Sequence, residues 1–118
     1  MNDVRNEMKK SLNTFLAVLM LLSLASCGLF APQTTWIDVR SAEEYQEDHI
    51  ADTPNIPHTE IVSRIEDLNL SKNAPIKLYC RSGVRAGIAL IALEELGYTN
   101  VENVGGIGDA RERLASGN

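Results

Sequence analysis

"LYCRSGVRAG" (Leu78–Gly87) is the stretch on which the reading of this chain turns. Its first residues continue IKLYC (Ile76–Cys80), a run of β-formers that predicts a strand ending at a cysteine. Its last residues open AGIALIALEEL (Ala86–Leu96), which reads as a helix apolar on nearly every side and therefore expected to be deeply covered. Between them stands a short connection, Arg81-Ser82-Gly83-Val84, followed by Arg85. Gly83 can take positive φ without penalty. A loop so placed can turn several backbone N–H groups inward and end on a helix N-terminus, which makes an anion-binding nest. Those amides, with the guanidinium groups of Arg81 and Arg85, are expected to lower the pKa of Cys80 and leave a nucleophilic thiolate aimed into a pocket. The bland alternative is a buried structural cysteine flanked by solvated arginines. The order strand, Gly83, Arg85, helix weighs against it.

Outward from this loop, strands and helices alternate. TWIDVR (Thr35–Arg40) predicts a strand. Ser41 and Glu44 behind it form a capping box that starts a short helix running to about His49. Pro54 and Pro57 limit the next segment to a brief extended piece. Ile61, Val62, Ile65 and Leu68 then lie on one face of a helix. Gly97 is placed to end the helix that follows the cysteine loop, YTNVENV predicts a third strand, and a final helix is expected from Ala110 to about Ala115. This alternation defines an α/β fold with a parallel sheet and helices on both faces. Sites in such sheets lie beyond the carboxyl ends of the strands. Asp38–Arg40, Cys80 and Gly105–Gly106 all fall at that edge.

The first residues read as a secretory signal over 1–26. Arg5, Lys9 and Lys10 lead into the apolar run Phe15–Leu22, which falls short of the roughly 20 residues needed to span a bilayer. Leu24-Ala25-Ser26-Cys27 then resembles a bacterial lipobox, in which Cys27 is lipidated and becomes the new N-terminus, with 27–34 as tether and 35–118 as the domain. Gly28 after the cysteine is compatible, by resemblance to enteric lipoproteins, with sorting to the outer membrane. The alternative is a soluble periplasmic protein. An exported thiol normally has a disulfide partner. With Cys27 lipidated, Cys80 has none, which raises the question of what it does.

The chain has 118 residues, enough for one small domain. Removing 1–26 takes three of 11 basic and two of 16 acidic side chains, leaving 8 against 14 and a net charge of −6. So acidic a domain is a poor partner for nucleic acid or anionic lipid.

The motifs together resemble a single-domain rhodanese, close to the periplasmic phage-shock type. WIDVRSAEEYQEDHI (Trp36–Ile50), NIP (Asn55–Pro57), YCRSGVRA (Tyr79–Ala86) and GYTNVENVGGI (Gly97–Ile107) carry the likeness, which covers about Thr35 to Ile107. The resemblance implies a mostly parallel five-stranded sheet. It also implies a sulfurtransferase that forms a Cys80 persulfide from thiosulfate and passes the sulfur to a thiol or to cyanide, without a cofactor. By the same resemblance Cys80 is the nucleophile, and Arg81, Ser82, Gly83, Val84 and Arg85 are the loop whose amides hold the persulfide. We expect Arg85 to face the loop it closes and Arg81 to face the donor's sulfonate.

Loop length argues against the nearest rival chemistry. Cysteine phosphatases of related architecture use Cys-x5-Arg, whereas four residues separate Cys80 from Arg85. One residue fewer removes one inward N–H and shortens the rim by up to about 3.5 Å, so a phosphoryl group fits poorly. A second alternative is a persulfide-binding or redox-sensing module with weak turnover. Asp38, Arg40 and His49 match family positions and read as supporting structure. With His58 as the sole other histidine, His49 lacks partners for a metal site. Gly105–Gly108 is too short for a dinucleotide fingerprint and reads instead as close backbone approach to the Cys80 loop. Two positions depart from the family pattern: Ala110, where Trp is common, and Asp52, where Gly is usual. Trp36 reads as core.

Overall fold

A computed structural model of the chain describes residues 3–13 and 32–117. The chain divides into two compact units, Met1–Ala31 and Pro32–Asn118. In the first, residues 3–13 form helix α1, exposed along its whole length. The apolar run Phe15–Leu22, Cys27 and the start of the tether lie outside the described residues.

The second unit is built on three parallel strands in the order β1-β2-β3: β1 (Thr35–Asp38), β2 (Ile76–Cys80) and β3 (Val101–Gly106). Alternation sorts their side chains. Ile37, Ile76, Leu78 and Cys80 point to one face, where they join Ile61, Ile65, Ala86, Ala89 and Leu93 in the hydrophobic core. That face is covered by α3 (Ile61–Arg64) with its 3-10 extension Ile65–Leu68, and by α4 (Val84–Glu95). Trp36 and Tyr79 point the other way. Trp36 and the Leu114 side of α5 (Ile107–Ser116) line a cavity of about 370 Å³, so α5 covers the second face. Helices therefore flank the sheet on both sides.

The resemblance implied five strands, and the described residues form three. Asn55 makes a single parallel bridge to Asp38 on the free edge of β1. Pro54 and Pro57 bracket it, and prolines remove the ladder donors that would extend the pairing. Other expectations shift for local reasons. Helix α4 starts at Val84 rather than Ala86, because Gly83 at φ 99° turns the chain directly into the first helical residue. Nor is α4 covered on all sides. Ala86, Ala89 and Leu93 are buried, but Ile88 is 52 % exposed and Ile91 58 %, because one layer of sheet can cover only one stripe of the helix. Val62 of α3 is likewise exposed, and Trp36 is half-buried, with the Lys77 ammonium over its ring. Helix α5 begins three residues earlier than expected, at Ile107, where the Asp109 carboxylate accepts the Gly106 N–H.

The Ser41 capping box is present in both halves: Ser41 Oγ accepts the Glu44 N–H at 3.2 Å, and Glu44 Oε2 accepts the Ser41 N–H at 3.0 Å. It starts α2 (Ala42–Glu47) immediately after the β1 strand end. Asp52, at φ 64°, occupies the left-handed conformation for which glycine is usual, and aspartate is one of the few other residues that tolerates it.

Candidate active site

Cys80 is the last residue of the central strand, and the chain behind it folds straight back into α4. The Gly83 amide donates to Cys80 Sγ at 2.9 Å. Burial pushes the thiol pKa up, and the backbone N–H groups of Ala86, Ser82, Gly83 and Arg85 together outweigh it, so the thiol lies below its ordinary value. Four converging amides at the start of a helix form the predicted anion nest. The thiol is less open than the sequence suggested: Cys80 is 1 % exposed. The sulfur sits on the floor of the loop, with the exposed residues Arg81, Ser82 and Val84 forming the rim above it.

Backbone contact from β3 holds the loop down. A register shift in the β2–β3 pairing sets Leu78 opposite Asn103 but Tyr79 opposite Gly105 and Cys80 opposite Gly106. The two glycines thereby come beside the loop. A Cβ on Gly106 would collide with the Arg81 carbonyl oxygen, and one on Gly83 would stand 3.2 Å from Gly105 Cα. Asn103 ties the two segments together: its Nδ2 donates to the Gly83 carbonyl at 2.8 Å and its Oδ1 accepts the Gly105 N–H at 3.0 Å.

Glu44 is the group that sequence reasoning missed. Read from sequence as a helix cap alone, its carboxylate also receives both loop arginines. Arg85 Nη1 and Nη2 donate to it at 2.7 and 3.1 Å, a two-pronged ion pair, and Arg81 Nη2 stands 3.2 Å from Oε1. The Arg85 hydrogen bonds, the Ser41 amide and the charge of both arginines hold the Glu44 carboxyl at about 2. The arginines differ in freedom: the Arg85 side chain is 28 % exposed and Arg81 70 %. Arg85 lies close enough to Cys80 for the sulfur's charge to raise its own pKa, after the larger effect of Glu44. The sequence signal was available in the i, i+3 capping pattern, which fixes where a Glu44 side chain must start. Nothing in the sequence showed what lies opposite.

Asp38 and Arg40 do not reach the thiol. They form a buried ion pair, with Arg40 Nε and Nη2 donating to the Asp38 carboxylate at 2.7–3.0 Å and the Arg40 N–H donating to Asp38 Oδ1 at 2.9 Å. Arg40 also donates to the Asp48 carbonyl, and Asn55 Nδ2 donates to the carbonyls of both Asp38 and Arg40. This network fastens the β1 end, and so the start of α2, to the segment after it. His49 stacks on Tyr45, and its Nδ1 lies 2.8 Å from the Tyr45 carbonyl oxygen, away from the loop. Ala110 is fully buried and lies outside the core cluster of the first sheet face.

A cysteine in an amide nest, closed by a short loop at a parallel strand end, defines a recognisable class, and the chain belongs to the rhodanese-like domain family. The family pattern described as Rhodanese-like domain matches residues 26–109. The chain is 45 % identical over 92 residues to the thiosulfate sulfurtransferase PspE of Escherichia coli (strain K12), covering 75 % of this chain and 88 % of that protein. Among solved structures it is similar to a rhodanese with anions from E. coli, with a TM-score of 0.62, 44 % identity, and 65 % and 91 % of the two chains covered. It is also similar to the human single-domain sulfurtransferase TSTD1, with a TM-score of 0.57, 28 % identity, and 81 % and 90 % covered.

Proposed function

We propose that the protein is a sulfurtransferase that moves the sulfane sulfur of thiosulfate to a thiophilic acceptor through a Cys80 persulfide. The observation that carries this reading is the Gly83 amide donating to Cys80 Sγ at 2.9 Å within a ring of further loop amides. Such a ring stabilises an anion on the first sulfur and offers donors to a second. In the first half-reaction the Cys80 thiolate attacks the outer sulfur of thiosulfate. The new S–S bond forms on Cys80 as the old one breaks, and sulfite leaves with the electron pair. In the second, cyanide or a thiolate attacks the outer sulfur of the persulfide, and Cys80 leaves as thiolate, with no net oxidation of the protein. The near-closure of Cys80 suits a donor that presents one terminal sulfur atom. Long-range steering of a dianion is weak in an acidic domain, so donor binding rests on Arg81, Arg85 and the loop amides at close range.

Steady-state transfer from thiosulfate to cyanide tests the reading, with Arg81→Ala expected to raise the thiosulfate KM. The 1 % exposure of Cys80 favours one competing reading, a persulfide carrier that loads and scarcely discharges. Discharge of the loaded protein by cyanide separates the two.

The same proposal sets the protein in the periplasm, anchored by lipid on Cys27, with sorting to the outer membrane resting on Gly28. Its support is the signal-like lead and the Leu24–Cys27 lipobox pattern. Labelling with radioactive palmitate that is lost in Cys27→Ser supports the anchor. Unlabelled protein released with the periplasmic fraction supports the soluble form.

A further inference from the structure

We propose that Glu44 is a positioning residue that parks Arg81 between turnovers and so sets how tightly the site takes an anionic donor. This rests on the sulfur-transfer reading of the Cys80 loop. The two arginines meet one carboxylate, but unequally. Arg85 is held by two hydrogen bonds at 2.7 and 3.1 Å with its side chain 28 % exposed, whereas Arg81 has a single approach at 3.2 Å and is 70 % exposed. The Glu44–Arg85 pair is therefore the fixed part of the rim. Arg81 is its movable part, able to leave the carboxylate for a competing anion at the mouth.

Glu44 is itself anchored at both ends. Its Oε2 accepts the Ser41 N–H, and its backbone N–H is held by Ser41 Oγ, so the carboxylate cannot follow Arg81 outward. A sulfonate arriving above Cys80 must win Arg81 from a carboxylate that stays behind. Glu44 thereby weakens binding of a dianion, keeps the guanidinium off the thiolate while the site is empty, and draws Arg81 back once sulfite has formed. That last effect favours release of the leaving anion.

A double-mutant cycle on Glu44→Gln and Arg81→Ala in the otherwise unchanged chain tests the assignment. Glutamine keeps the capping box through its amide oxygen, so the helix start is retained while the charge is removed. We expect Glu44→Gln to lower the thiosulfate KM about fivefold with kcat changed less, and to lower it less than about twofold when Arg81 is alanine. Equal changes in both backgrounds would mean direct repulsion of the donor by Glu44 and would overturn the parking role. A raised KM in Glu44→Gln would overturn it too. A readout independent of turnover is the ratio of Cys80 alkylation rates with iodoacetate and iodoacetamide, measured by mass. Glu44→Gln is expected to raise that ratio in the Arg81 background and leave it nearly unchanged with Arg81→Ala. If the wild type takes no sulfur from thiosulfate yet the alkylation ratio behaves so, the sulfur-transfer reading fails and the role of Glu44 stands. An unchanged ratio in an active enzyme does the reverse.

Discussion

The Arg85 guanidinium meets the Glu44 carboxylate at 2.7 and 3.1 Å, and this pair joins two segments 41 residues apart: the cap of the helix after β1 and the loop after β2. Its position follows from local rules. The Ser41 capping box places Glu44 at the β1 strand end, and parallel pairing of β1 with β2 brings that end beside the Cys80 loop. A helix cap thus becomes part of the electrostatics of a reactive cysteine.

One consequence is an acid-sensitive tie. The Glu44 carboxyl lies at about 2 in the folded protein against 4.5 ordinarily, so the ionised form is the one that folding favours. Its stabilisation is fully present above pH 4.5 and is lost as pH falls through about 2. Urea unfolding between pH 5 and pH 2.5 should show stability falling with acidification, and Glu44→Gln should flatten that part of the curve. At neutral pH, Glu44→Ala, which removes the ion pair and the carboxylate half of the capping box but leaves Ser41 Oγ on the residue-44 N–H, should cost about 1–2 kcal/mol.

The Cys80 thiol titrates in the direction opposite to that expected of burial alone, because the loop amides stabilise its anion. The thiolate is the reactive form, so reactivity rises with pH through the Cys80 pKa and is flat above it. The ascending limb of kcat/KM for thiosulfate, or of the iodoacetamide rate, should have its midpoint below the ordinary thiol value of 9.0. A midpoint at or above that value contradicts the nest.

Gly106 is fixed by the Arg81 carbonyl that crosses it. Gly106→Ala should push the loop off β3, costing about 1–3 kcal/mol and lowering sulfur transfer by more than tenfold. Gly83→Ala meets both a φ of 99° and a close Gly105 Cα, and should cost a similar amount. Thermal unfolding beside transfer rates checks both.

The Asp38–Arg40 pair is buried, with Asp38 fully inaccessible. Asp38→Ala leaves a buried guanidinium without its counter-charge and should destabilise by about 3–5 kcal/mol. Because neither residue reaches Cys80, whatever protein remains folded should retain the wild-type Cys80 alkylation rate. Denaturant unfolding with alkylation in parallel tests this.

Much of this was legible in the chain. The strand IKLYC, the Ser41–Glu44 box and the glycines around Cys80 each follow from a local rule, and parallel pairing then brings them to one edge. What the sequence did not disclose is which side chains meet across segments. Glu44 satisfied the capping rule so completely that nothing local pointed to Arg85 or Arg81. Asn103 looked like an ordinary strand residue, and its two hydrogen bonds to the loop depend on a register shift in β3 that no local pattern encodes. The exposed Ile88 and Ile91 misled in the other direction. A nearly all-apolar helix reads as enclosed, but coverage depends on how many layers surround it, and here there is one.

The most direct test is the mass of the protein after incubation with thiosulfate, before and after cyanide. The account predicts a gain of one sulfur atom on Cys80 that is removed by cyanide with release of thiocyanate, and no gain in Cys80→Ser. An unchanged mass after thiosulfate, or the same gain in Cys80→Ser, contradicts it.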